Sequence, residues 1–363
     1  MKEAIRISFF LTLLITFGCG EKKSKPNTDS EKEVADDYSA KIDSLIQTTT
    51  PRKFNGVILI TQNGEIKYSK EYGYSNFEKK TPISLNENFR IQSNSKQITA
   101  VLILKEVEKG NINLQSPIKE YLPDLKQSWA DSVAVHQLLN MSSGIITLDK
   151  PLAFEPGSDY RYSNAGYGLL GKILKKVSGQ NYVELANGLF KDLGMNNSYC
   201  YEFGENQQDL INGYLNSSNG YELVDFYSRG ITTEGWQNFI PTGGIISNAI
   251  DLNIWDHQLH NGKILKPKSY ELMTNYNIKG PHAAFGTEKI GYGYGVRIDD
   301  SEVLKVIGHA GKGIGFANIK FSVPDKQLNV IVLENVYDED PNIVYHFEKE
   351  IREIVLKSIF TKQ

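Results

Sequence analysis

Apolar residues first gather in a run from Ile7 to Phe17, broken only by Ser8, Thr12 and Thr16, then all but vanish from Gly20 to about Asp37, where Lys, Glu, Ser, Pro, Asn and Asp dominate. The run follows Lys2 and Arg6 and is too short to span a bilayer, so it reads as an export signal. The polar stretch behind it reads as a solvated tether. A folded pattern begins near Tyr38. Phe54 to Thr61 is rich in Val and Ile, Gln62-Asn63-Gly64-Glu65 carries an Asn-Gly turn, and Ile66 to Tyr72 continues beyond it, which predicts a β-hairpin. Ile98, Val101, Leu102 and Val107 lie in a helix predicted from Ser93 to Lys109 and stopped by Gly110. From Asn111 to about Trp236 the pattern is of short helices and turns, with helices at Val133 to Asn140 and Gly166 to Val177. Strand patterns return at Val303 to Ile307, Ile314 to Val323 and Leu328 to Val336, and Val344, Phe347, Ile351, Ile354 and Val355 close the chain at helical spacing.

Strand-rich ends around a helical middle define an α+β class: an antiparallel sheet built from both chain ends and flanked by helices, with an inserted helical subdomain. The sheet subdomain is expected at about 38–92 and 237–363, the helical one at about 93–236, and the active site where they meet.

Composition narrows the partners. A chain of 363 residues with 40% hydrophobic and 23% charged residues has material for a large core, and a formal net charge of -3 leaves no basic surface for nucleic acid. There are two cysteines, Cys19 and Cys200. Thr16-Phe17-Gly18-Cys19, just after the apolar run, is similar to the lipobox of bacterial lipoproteins. That resemblance implies a signal peptide over 1–18, acylation of Cys19, a tether over 19–37, a folded body over 38–363, and a protein anchored to a membrane in the cell envelope, facing the periplasm or exterior. A plain secretory signal is the other reading. Cys200 then has no partner for a disulfide and is expected in the core.

Three short motifs carry chemistry. Ser93-Asn94-Ser95-Lys96 opens the long helix, where residues three apart share a face, so Lys96 can reach and deprotonate Ser93. Tyr162-Ser163-Asn164 leads into the next helix; its tyrosine can exchange protons, its asparagine can donate to a substrate carbonyl, and Asn164 also suits the helix N-cap. His309-Ala310-Gly311, followed by Lys312, sits at the end of one predicted strand and before another. There Gly311 allows close backbone approach, and His309 can bond a carboxylate or the tyrosine. Each motif has decoys. Ser116 to Lys119 lacks a long helix behind it, Tyr74 to Asn76 and Tyr214 to Asn216 read as polar loops, and His260-Asn261-Gly262 reads as a turn. No His, Cys and Asp spacing suits zinc, and neither metal nor cofactor is expected.

Taken in order, the three motifs resemble those of the serine β-lactamase and penicillin-binding protein superfamily. Leu138 to Gly144, Pro156-Gly157, Leu193-Gly194-Met195 and Gly243 to Ser247 extend the likeness over most of residues 40–360. The resemblance implies a serine hydrolase working through an acyl-enzyme: Ser93 attacks, Lys96 and Tyr162 manage the proton, Asn164 orients the substrate, and the backbone amides of Ser93 and Lys312 hold the oxyanion. His309-Ala310 stands where class C β-lactamases carry Lys-Thr, and His-x-Gly variants look more like esterases, D-amino-acid peptidases and carboxypeptidases. The substrate is then an ester, amide or peptide, with at most weak β-lactam hydrolysis. A penicillin-binding-like lipoprotein that binds cell-wall peptides without turnover is the alternative.

Overall fold

The computed structural model describes residues 38–360, apart from Gln208 and Thr287. Cys19, the expected signal peptide and the tether lie outside the described residues.

The hairpin expected near the start of the body forms as β1 (Gly56–Gln62) and β2 (Glu65–Tyr72), turning at Asn63 and Gly64, both with positive φ. The remaining strands of the main sheet all come from the last third: β3 (Lys279–Gly280), β4 (Ile290–Tyr292), β5 (Arg297–Asp299), β6 (Val306–Gly313), β7 (Phe316–Val323) and β8 (Leu328–Glu334). Their order is β2-β1-β8-β7-β6-β5-β4-β3, with every neighbour antiparallel. The two chain ends meet where Gly56 pairs with Glu334 and Gln62 with Leu328. A side chain at Gly56 would come within 2.1 Å of the Leu333 carbonyl oxygen.

Alternate strand positions feed two cores. Ile58, Ile60, Val330, Val332, Ile319 and Phe321 face one side. There they pack with Ile42 and Ile46 of α1 (Tyr38–Ile46) and with Phe347, Ile351 and Val355 of α7 (His346–Phe360). Val57, Leu59, Ile331 and Leu333 face the other side and join the helical core. At its centre lies α2 (Ser95–Glu108), buried from Ser95 through Leu104 on every face, as a helix enclosed by others must be. Around it pack α3 (Asn164–Ser178), α4 (Tyr182–Leu193), α5 (Thr233–Gly243) and α6 (Ala249–His260).

Several expectations shift. The helix predicted from Ser93 begins as a 3-10 turn over Gln92–Asn94 and becomes α-helical only at Ser95. The strand predicted from Val303 starts at Val306, leaving Val303 84% exposed, and runs on to Gly313, so the His309 triplet lies inside a strand rather than after one. Asn164 is not the N-cap of α3: the Ser163 hydroxyl accepts from the Gly166 amide at 3.0 Å. Tyr214–Ser217 pairs with Gly220–Leu223 as a hairpin, and Tyr74–Asn76 is a short strand, so neither decoy is a loop. Cys200 is buried, as expected.

Glycines set the closeness of α3 and α5. A Cβ at Gly171 would sit 2.4 Å from Cγ of Pro241, and one at Gly168 would be 3.0 Å from the Asn238 carbonyl oxygen. The last carbonyls of α5 have no partners within their own helix, and two are taken by α2 side chains: Pro241 accepts from the Thr99 hydroxyl at 2.6 Å and Thr242 from Lys96.

Candidate active site

The turn that carries Ser93 is clamped on both sides. Gln92 holds φ at +49°, a left-handed conformation that a side chain resists, and its amide group donates to the Gly313 carbonyl at 2.6 Å. Asn94 donates to Asn318 of β7 at 2.5 Å, and the Ile91 amide donates to the Ile245 carbonyl at 3.1 Å. The Ile245 amide in turn donates to the Ser95 hydroxyl at 3.2 Å. Strand β6 reaches past its neighbour, since β5 pairs with it only at Val306, Ile307 and Gly308. The edge of residues 309–313 on that side therefore faces the serine turn. Gly311 is fixed by this approach: a Cβ there would lie 2.6 Å from the Ile91 carbonyl oxygen and 2.8 Å from Cβ of Gln92. The glycine serves the meeting of strand and turn, a closer reason than the substrate approach expected from sequence.

Lys96 is fully buried. Its Nζ stands 3.1 Å from Ser93 Oγ, donates to the Thr242 carbonyl at 2.7 Å, and lies 4.8 Å above the Tyr162 ring. Burial, then the charge of Arg297, hold the amine well below the ordinary lysine range. An uncharged amine keeps a lone pair, and with one hydrogen committed to Thr242 that lone pair is free for the Ser93 proton. Ser93 itself is half-buried.

Among the described residues the Tyr162 hydroxyl, buried beside Ser93, has no well-formed hydrogen bond. Burial pushes its pKa up, while Ser93 and Arg297 pull it back. Asn164 is exposed at the first position of α3. It lines a groove of about 300 Å³ with Leu148, Lys172, Asn238, Phe239 and Thr242. Asn164 and Thr242, the residue whose carbonyl holds Lys96, thus line the same groove.

His309 is enclosed rather than presented. It is 0% exposed; its Nδ1 lies 2.6 Å from the Ala310 carbonyl oxygen, which fixes Nδ1 as donor, and its Nε2 lies 3.1 Å from the Tyr292 hydroxyl. Burial, followed by Arg297 and Lys96, holds the imidazole neutral, so Nε2 accepts from Tyr292. The tyrosine it serves is Tyr292, and its ring lies 6.1 Å from that of Tyr162. Lys312, the next charged residue on β6, is exposed with its Nζ 5.8 Å from the Tyr345 ring.

Sequence reasoning passed over Arg297, Tyr292, Tyr160 and Thr242. Arg297 is 1% exposed, donates to the Tyr160 hydroxyl at 3.0 Å and the Gly280 carbonyl at 3.3 Å, and faces the Tyr292 ring at 5.3 Å. The available signal was an arginine set between Val296 and Ile298 in an apolar strand.

A half-buried serine and an enclosed lysine at the start of a central helix, beside an antiparallel sheet closed by both chain ends, define the β-lactamase class of fold. The chain belongs to the Beta-lactamase family, whose model matches residues 42–350, and family and fold together mark it as a hydrolase. Among known proteins, "Protein flp" of Staphylococcus aureus (strain MRSA252) is 26% identical, over 88% of this chain and 67% of that one. The octameric penicillin-binding protein homologue of Pyrococcus abyssi superposes with a TM-score of 0.73 at 29% identity, covering 88% of this chain and 77% of that one. D-amino acid amidase of Ochrobactrum anthropi SV3 shares the fold, with a TM-score of 0.74 at 21% identity, covering 90% of this chain and 100% of the amidase.

Proposed function

We propose that the protein is an exported serine hydrolase that cleaves an ester, amide or peptide through an acyl-enzyme on Ser93. The observation that carries this reading is the buried Lys96 amine 3.1 Å from Ser93 Oγ, with no carboxylate paired to it among the described residues. Lys96 takes the serine proton as Ser93 attacks the substrate carbonyl. The backbone amides of Ser93 and Lys312 stabilise the oxyanion, Tyr162 passes a proton to the leaving group, and Asn164 orients the substrate; water then releases the acyl group.

The nearby strand favours substrates other than β-lactams. Where class C β-lactamases carry a lysine, this chain has an uncharged His309 with both ring nitrogens occupied. Hydrolysis of a p-nitrophenyl ester and of a chromogenic cephalosporin by the full chain, with Ser93→Ala as control, tests the reading. Ester turnover that disappears in the variant, with cephalosporin turnover slow or absent, supports it. Rapid cephalosporin turnover would make the protein a β-lactamase, and no Ser93-dependent turnover of either would favour a protein that binds cell-wall peptides without cleaving them.

Export and anchoring at Cys19 rest on the lipobox resemblance. Detergent-phase partitioning of the protein made in a bacterial host should be lost in Cys19→Ser, and an unchanged partition would leave only a secretory signal. Among the described residues no helix is long and apolar enough to cross a membrane.

A further inference from the structure

Arg297 is a buried guanidinium without a carboxylate partner among the described residues. Its Nη1 and Nη2 go to the Gly280 carbonyl and the Tyr160 hydroxyl, its Nε has no partner, and its charge lies 5.3 and 5.9 Å from the Tyr292 and Tyr160 rings. Such an arrangement leaves a full positive charge in a low-dielectric setting, where it acts at longer range than in water. The backbone brings that charge to the catalytic helix. Gly295, at φ +69°, ends the turn before β5, and a Cβ there would stand 2.5 Å from the Lys96 carbonyl oxygen, so the turn seats directly on the first turn of α2. The rings complete the link: Lys96 Nζ lies over Tyr162, the Tyr162 and Tyr292 rings are 6.3 Å apart, and Arg297 faces Tyr292.

We propose that Arg297 is a positioning residue for acylation, a fixed buried charge that makes Lys96 work as a base and favours transient negative charge on Tyr162. Two cations cannot both stay charged in one dry region, and a guanidinium holds its proton where an amine gives it up. Among the described residues Lys96 meets Ser93, the Thr242 carbonyl and the rings of Tyr162 and Tyr167, and it is coupled electrostatically to Arg297 and His309; none of these is acidic. Among the described residues Arg297 meets Tyr160, the Gly280 carbonyl and the Tyr292 ring, and it is coupled electrostatically to Tyr162, His282, His309 and Tyr345, again without a carboxylate. Consistent with this, Arg297 acts on Lys96 in the direction that burial does.

The inference rests on the acyl-enzyme reading above, and its test separates the two. The rate at which a fluorophosphonate probe labels Ser93 in the full chain is followed from acidic to alkaline pH, in the wild type, Arg297→Gln, Arg297→Lys and Ser93→Ala, with folding checked by thermal melting. The acid limb of the profile reports Lys96. Removing the charge should move that limb up by about one to two pH units, lowering the rate at neutral pH about tenfold or more with recovery in alkali, and Arg297→Lys, whose amine can give up its proton in the same dry region, should restore it only in part. A uniform loss at every pH with the limb unmoved, or no change, would overturn the proposal and leave Arg297 a packing residue. No Ser93 labelling in the wild type at any pH would overturn the acyl-enzyme reading and this inference with it. Should Arg297→Gln fail to fold, Arg297→Met, which removes the charge and keeps an unbranched side chain, should move the limb the same way, and an unmoved limb there would overturn the proposal too.

Discussion

Buried cations in this protein fall into two groups by place. Away from the cleft each has an acid. Arg52, in the segment leading into β1, meets Glu334 of β8 through two bonds at 2.7 and 2.8 Å and lies 3.5 Å from Glu348 of α7. Lys320 of β7 meets Asp256 of α6, and Arg352 of α7 meets Asp299 of β5. At the cleft Lys96 and Arg297 have no acid among the described residues. Arg90, three residues before the serine, is likewise held by the Tyr201 hydroxyl, by Gln207 and by the face of Phe226 at 4.3 Å. The first group ties helices to the sheet. The second sets the Arg297 charge near an amine that burial disfavours as an ammonium, at a cost in stability that packing elsewhere must offset.

The largest expected contrast comes from exchanging one cation of each kind. Lys96→Ala should lower ester turnover about 10²- to 10⁴-fold, the usual worth of a general base. It should leave the fold intact, because no partner carboxylate is stranded. Lys320→Ala strands Asp256 and should cost about 3 to 5 kcal/mol in denaturant unfolding, with turnover per folded molecule near wild type. Equal loss of stability in both variants would erase the distinction.

A smaller effect is expected from Glu348, whose carboxyl burial, and then the charge of Glu334, push well above the ordinary range despite Arg52. A carboxyl whose folded pKa is raised contributes stability below its unfolded pKa and loses it as pH rises toward the folded value. Glu348→Gln should therefore match the wild type near pH 4 and melt at higher temperature than it near pH 8. A variant that melts lower at both pH values would mean that Arg52 needs both acids. The smallest effect belongs to Lys312. Its assigned role uses the backbone amide and its side chain is exposed, so Lys312→Ala should keep turnover within about threefold, as surface changes of about half a kcal/mol do. A loss of a hundredfold would show that the ammonium itself meets the substrate.

These residues also show what a sequence makes legible. The first strand of the hairpin, the central helix and the two late strands β7 and β8 are dense apolar runs bounded by clear turn and stop residues, and the structure places Ser93 and Lys96 on the turn and helix start where spacing put them. Strand β6 was misplaced because Gly308, Gly311 and Gly313 erase its period, yet Gly308 and Gly311 are there because backbone and side chains close in, a Cβ at Gly308 meeting the Lys320 carbonyl oxygen at 2.2 Å, and Gly313 because its φ is +130°. Helix α4 went unread although Asn181 and Glu184 form a capping box and Gly194 ends it. Arg297 belongs to no motif, because what matters about it is the absence of a partner, a three-dimensional fact.

Rapid mixing of the full chain with p-nitrophenyl acetate, followed by peptide mapping of the trapped adduct, tests most directly whether an uncharged Lys96 activates Ser93. The account predicts a burst of one p-nitrophenolate per chain, an acetyl group on the peptide containing Ser93, and no burst in Ser93→Ala or Lys96→Ala near neutral pH. A burst that survives in either variant, or an adduct on another residue, would contradict it.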